Sequence, residues 1–150
     1  MSLTLPSTHL VADAQAMKEV GEKVGKELHA GDVVILQGPL GAGKTTFTQG
    51  IGSSLGVFDI SSPTFVISRV HKSKPKLVHV DAYRLLGSGD SSIQFDDLDL
   101  ETSREDSITV IEWGSELAHR FTESYLLVDI SFVDELDSAN QMRKVVIERR

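Results

Sequence analysis

The 150-residue chain has no cysteine, which excludes disulfides, thiolate metal sites and cysteine nucleophiles and is compatible with a reducing cytosol. Basic residues are few: 15 Lys and Arg stand against 22 Asp and Glu, for a formal net charge of -7. Nucleic-acid backbones are gripped by clustered Lys and Arg, so this balance argues against direct binding and assigns any such connection to a partner. No stretch approaches the roughly 20 apolar residues of a membrane span, and residues 1–10 lack the basic-then-apolar order of a secretory signal. A cytoplasmic protein is expected. The five histidines show no ligand spacing, so no zinc site is expected. The Asn-Lys-x-Asp base-reading motif of a GTPase is missing too. Repeats, linkers and low-complexity tracts are also lacking. At 40% hydrophobic and 25% charged, a chain of this length is most simply one domain, residues 1–150, around one core.

What is present alternates between helical and strand periodicity. Asp13 suits an N-cap, and Met17, Val20, Val24 and Leu28 follow on one helical face, with Gly31 expected to end that helix. Residues 33–36 are a β-branched apolar run, the mark of a strand buried on both faces of a parallel sheet. A helix over about 44–55, with Phe47, Ile51 and Leu55 inward, is closed by Gly56. Residues 61–63 read as a loop, and 64–71 and 77–80 as a hairpin whose turn contains Pro75. The polar, acidic segment 86–106 reads as loop with at most one short helix, a place for a lid or docking surface. Residues 108–111 form another buried-type strand, 115–121 a short helix, and 125–132 and 144–147 two last strands around an acidic turn at 134–140. The expectation is an α/β fold: a P-loop NTPase-like sheet with a parallel core, antiparallel flanking strands and helices on both faces.

The chemistry-bearing motif is Gly38-Pro39-Leu40-Gly41-Ala42-Gly43-Lys44-Thr45, two glycines bracketing four residues before Lys and Thr. Such a match arises by chance roughly once in 200 chains of this size. A buried-type strand directly before it and a helix directly after it make a ligand-free glycine turn the poorer reading. The glycines let the backbone wrap so that successive N–H groups face phosphate oxygens. Lys44 offers a point charge to the β- and γ-phosphates, Thr45 a hydroxyl to Mg²⁺, and the following helix its positive end. The expected nucleotide contacts are Gly38, Leu40, Gly41, Ala42, Gly43, Lys44, Thr45 and Thr46, with ATP and Mg²⁺ as cofactors.

A P-loop enzyme also needs carboxylates near the metal, commonly at the end of a neighbouring apolar strand. Asp81 follows Leu77-Val78-His79-Val80, and Glu112 follows Ile108-Thr109-Val110-Ile111. Either suits Mg²⁺, with the other acting on the attacking water, and the sequence does not choose between them. Ser62 and Thr64 flank Pro63 in a loop that could sense a γ-phosphate as a switch element, though on these residues alone a plain turn is the better reading. Trp113 stands beside Glu112, where a core or interface anchor is the commoner role of a lone Trp. Arg84 reads as a surface charge and His79 as a satisfied core histidine.

Together, the glycine loop through Phe47, Ser62-Pro63-Thr64-Phe65, His79-Val80-Asp81-Ala82-Tyr83-Arg84-Leu85 and Ile111-Glu112-Trp113 resemble the bacterial TsaE family. These are small P-loop ATPases of tRNA threonylcarbamoyladenosine biosynthesis. The resemblance spans about residues 33–113. It implies a weak ATPase that works with TsaB and TsaD, resetting the assembly while TsaD transfers the threonylcarbamoyl group, so that tRNA is met only through the partners. It also implies that Lys44 and Thr45 bind phosphate and Mg²⁺, that Ser62 and Thr64 belong to a switch-like loop, that Asp81 and Glu112 are the functional carboxylates, and that Trp113 neighbours the site. Pro39 departs from the pattern, standing where relatives usually carry an acid and removing both a charge and an N–H. Two other readings compete. A small-molecule kinase needs an arginine-bearing lid, yet residues 87–106 hold only Arg104 among many acids. A nucleotide-switched binding module with negligible turnover is disfavoured by the two well-placed carboxylates.

Overall fold

Four runs rich in aliphatic and β-branched residues assemble as the middle of one sheet, and the two innermost, residues 33–36 and 108–111, are buried on both faces. The computed structural model describes residues 4–39, 41–58, 60, 68–71, 75–81, 106–112, 124–133 and 142–150. Its elements in chain order are β1 (Ser7–Val11), α1 (Ala14–Glu27), β2 (Val33–Gln37), α2 (Lys44–Ser54), β3 (Ser68–His71), β4 (Lys76–Asp81), β5 (Ser107–Glu112), β6 (Leu126–Phe132) and β7 (Arg143–Arg149). Among the described residues these strands make one seven-stranded sheet in the order β1-β7-β6-β2-β5-β4-β3. β2 lies parallel between β5 and β6, and β4 is parallel to β5. The flanks β7, β1 and β3 pair antiparallel with their neighbours. The expected parallel core with antiparallel flanks is therefore observed.

One face of the sheet presents Val34, Leu36, Leu77, Ile108, Val110 and Val128 to Val20 and Val24 of α1 and Phe47 and Ile51 of α2, forming a continuous core. The opposite face is buried as well, through Val33, Ile35, Val78, Val80 and Ile111. Both described helices sit on the first face; residues 115–121, expected as a further helix, lie outside the described residues. α1 and α2 meet at glycines. A methyl group at Gly50 would stand 2.9 Å from Gly21 Cα and would collide with the Lys18 carbonyl. That close approach lets α2, which carries the glycine loop at its start, pack side by side with α1 over the sheet.

Asp13 caps α1 as expected, its carboxylate accepting from Ala16 N–H at 2.8 Å. The helix nevertheless ends at Glu27, four residues before Gly31. Residues 28–32 form a separate turn in which His29 N–H donates to Asp32 Oδ2 and Gly31 N–H to the Ser107 carbonyl of β5. Local turn chemistry and a sheet contact thus overrule the glycine as a stop signal. Gly56, at φ 82°, does close α2: its N–H donates to Ser53 O and that of Val57 to Gly52 O. The hairpin is present as β3 paired with β4 from Ser68↔Val80 to His71↔Leu77; residues 64–67, expected to begin it, lie outside the described residues. β1 was not expected. Ser7, Thr8, His9 and Leu10 are half-buried or exposed and only Val11 is buried, so no apolar run marks this edge strand.

Candidate functional site

All the parallel strands end at the same edge of the sheet, and the topology brings further residues there. The glycine loop leaves β2 at Gln37. Glu112 ends β5 directly across from Leu36 on β2, and Asp81 ends β4 directly across from Glu112. β7 runs the opposite way, so its first residue, Arg143, reaches this edge beside Phe132 of β6. β1 ends there too, with Val11 opposite Arg143, and Asp13 follows at the start of α1.

The loop has the backbone its sequence implies. A side chain at Gly38 would run into the Ile130 carbonyl of β6, so only glycine lets β2 turn there. Gly43, at φ 113°, is the N-cap of α2 in a left-handed conformation that residues with side chains rarely adopt. It supplies no side-chain cap, and the first turn of α2 holds no acid. The first intrahelical bond runs from Phe47 N–H to Gly43 O, so the amides of Thr45 and Thr46 precede it and belong to the positive end of the helix. Lys44 is only 5% exposed, and its ammonium donates to the carbonyls of Gly38 at 2.8 Å and Pro39 at 3.0 Å. The charge is thereby held at the mouth of the loop. Ala42 is buried, Gly41 exposed, and Thr45 and Thr46 half-buried. Thr48, one turn on, is buried and donates to Lys44 O, anchoring the helix start.

Of the two carboxylates, Glu112 is one strand from the loop-bearing β2 and Asp81 two strands away. Glu112 is 5% exposed, and its Oε2 lies 2.6 Å from Nε2 of fully buried His79. His79 is thus buried as expected, but its described contact is to a candidate site carboxylate. Leu40, Ser62, Thr64, Arg84 and Trp113 lie outside the described residues.

Beside the loop lies a pocket of about 170 Å³ bounded by Gly41, Ala42, Gly43 and Thr46 on one side and Asp13, Ala14, Met17 and Arg143 on the other. The Arg143 guanidinium is stacked 4.2 Å from the Phe132 ring centroid and donates to Met142 O. Sequence reasoning missed the far wall. Asp13 and Met17 read there as cap and core residue, which they also are, and Arg143 opens a strand without a motif. Only the antiparallel order of β1 and β7 places them together.

The family model of the threonylcarbamoyl adenosine biosynthesis protein TsaE matches residues 11–144. The tRNA threonylcarbamoyladenosine biosynthesis protein TsaE of Streptomyces coelicolor is 48% identical over 135 residues, covering 87% of this chain and 88% of the relative. The protein of the same name from Mycobacterium tuberculosis is 45% identical over 126 residues, covering 79% and 75%. That from Treponema pallidum is 37% identical over 118 residues, covering 78% and 85%. Among solved structures, YdiB of Bacillus subtilis superposes with a TM-score of 0.73 at 23% identity, covering 98% of this chain and 87% of that one, a likeness of fold.

Proposed function

The chain belongs to the TsaE family, and from that premise we propose that it binds and hydrolyses ATP as an accessory protein of tRNA threonylcarbamoyladenosine biosynthesis, acting in the cytoplasm with TsaB and TsaD. The observation that carries the ATP reading is the loop itself: a helix start without an acidic or side-chain cap, wrapped by positive-φ glycines, with a buried ammonium at its mouth. An anion is the ligand such a site stabilises. The donor set fits a magnesium nucleotide, since the Thr45 hydroxyl and the Glu112 and Asp81 carboxylates are hard oxygen donors of the kind Mg²⁺ takes. When bound, Mg²⁺ supplies charge neutralisation on the phosphate oxygens.

The rest falls to the chain. The amides at the start of α2 orient the phosphates, and the Lys44 ammonium adds a compact positive charge beside them. Glu112, the acid nearer the loop, serves the metal or accepts a hydrogen bond from the attacking water, and Asp81 supports it from the next strand. The pocket between Thr46 and Arg143 takes the nucleoside end, with Ala14 and Met17 as its apolar wall and the guanidinium as its planar polar group. The formal net charge of -7 accords with a role in which tRNA is met through partners.

The test is ATP turnover by the purified chain, alone and with TsaB and TsaD added. Slow hydrolysis that rises with both partners, together with nucleotide-dependent association, is the expected result. Turnover and association that are both indifferent to the partners contradict the assembly role. Phosphoryl transfer to a small-molecule hydroxyl would replace it with a kinase activity.

A further inference from the structure

β4 is aliphatic along its buried length except at one place. Leu77, Val78 and Val80 are buried, and between them His79 is fully buried. Removing a polar ring from water is costly unless a hydrogen bond compensates, and Leu or Val would fill this position without that cost. The described compensation is a single contact, Nε2 to Glu112 Oε2 at 2.6 Å. An ionised carboxylate only accepts, so Nε2 carries the hydrogen and donates. Nδ1 meets no partner among the described residues.

The register explains the direction of the contact. His79 lies opposite Val110 and Asp81 opposite Glu112, so the bond runs diagonally from β4 to β5, toward the edge where the glycine loop opens. Both backbones are fixed by strand ladders, and the hydrogen bond between two buried side chains holds the carboxylate against the ring. Oε2 is thereby engaged, and among the described residues Oε1 accepts no hydrogen bond.

We propose that His79 is a positioning residue: its ring locks the Glu112 carboxylate so that the second oxygen serves the nucleotide-bound cation. The inference rests on the ATP reading above. Hydrogen-bond partners behind a metal-serving carboxylate commonly change metal affinity or activity by about 10- to 100-fold when removed. His79 therefore acts on the magnesium dependence of the site and leaves the phosphate cradle around Lys44 untouched.

The experiment measures binding of a fluorescent ADP analogue across a magnesium titration and in EDTA, for the wild type, His79→Leu and His79→Gln. Leu suits the aliphatic strand but donates nothing, whereas Gln places an amide N–H near the former Nε2. His79→Leu is expected to need about tenfold more magnesium for half-maximal effect, with affinity in EDTA within about twofold of wild type. His79→Gln should recover most of the difference. In a Glu112→Ala background, His79→Leu should shift nothing further.

Equal impairment of the Leu and Gln variants, a wild-type magnesium requirement in folded His79→Leu, or a persisting shift in the Glu112→Ala background each overturns the proposal. Should His79→Leu fail to fold, His79→Gln decides alone: a near-wild-type magnesium requirement supports the proposal, and a tenfold higher one refutes it. A wild-type protein that binds the analogue equally with and without magnesium sinks this inference but not nucleotide binding, while no binding at all sinks the functional reading itself.

Discussion

The parallel strands β6, β2, β5 and β4 and the antiparallel strands β1, β7 and β3 share one sheet but contribute differently to it. β2 and β5 are buried along nearly every residue and end in the glycine loop and in Glu112. β1 alternates between half-buried and exposed positions before its one buried residue, β7 is buried only at Val145 and Ile147, and β1 leaves Leu10 67% exposed. Parallel strands must deliver their ends to one edge, so a motif at the end of each becomes a cluster without further design. The antiparallel flanks reach that edge only at one terminus each, and they bring Asp13 and Arg143 there to complete a pocket rather than a cradle.

The contrast can be broken first at the level of stability. Phe47→Ala, under the parallel core, should cost about 3–5 kcal/mol in chemical denaturation. Leu10→Ser, on the flank, should stay within about 0.5 kcal/mol. Similar losses would mean that the flank carries as much of the fold as the core. At the strand ends and at saturating magnesium, Glu112→Gln should lower ATP turnover about 100-fold while changing nucleotide affinity little, as read by single-turnover hydrolysis beside equilibrium binding. A parallel loss of both would give Glu112 a structural role. The smallest expected effect on ligand handling belongs to the flank: Arg143→Ala should weaken ATP binding about fivefold, the worth of roughly one net hydrogen bond, while leaving binding of inorganic tripolyphosphate unchanged. Weakening of both ligands would move Arg143 from the nucleoside pocket to the phosphates.

The same division governs what the sequence discloses. The run Val33 to Leu36, the glycine loop and the apolar faces of α1 and α2 are legible because burial on both faces, positive-φ turns and helical periodicity each demand particular residue types. β1 is not, since an edge strand of Ser, Thr and His with one buried Val meets no such demand. The end of α1 was misplaced for a related reason: the turn that stops it depends on Asp32 and on the Ser107 carbonyl, a partner 76 residues beyond Gly31 in the chain. Glu112 and Asp81 stand out as strand-end acids, but the diagonal bond from His79 exists only once β4 and β5 are in register. Arg143 needed more still, the antiparallel return of β7 beside β6.

The central claim is that the loop between β2 and α2 encloses a triphosphate, and titration calorimetry of the folded protein with magnesium-ATP tests it most directly. The account predicts saturable one-to-one heat for the wild type and none for Lys44→Ala at equal thermal stability. Indistinguishable isotherms for the two proteins, or no heat from either, would contradict it.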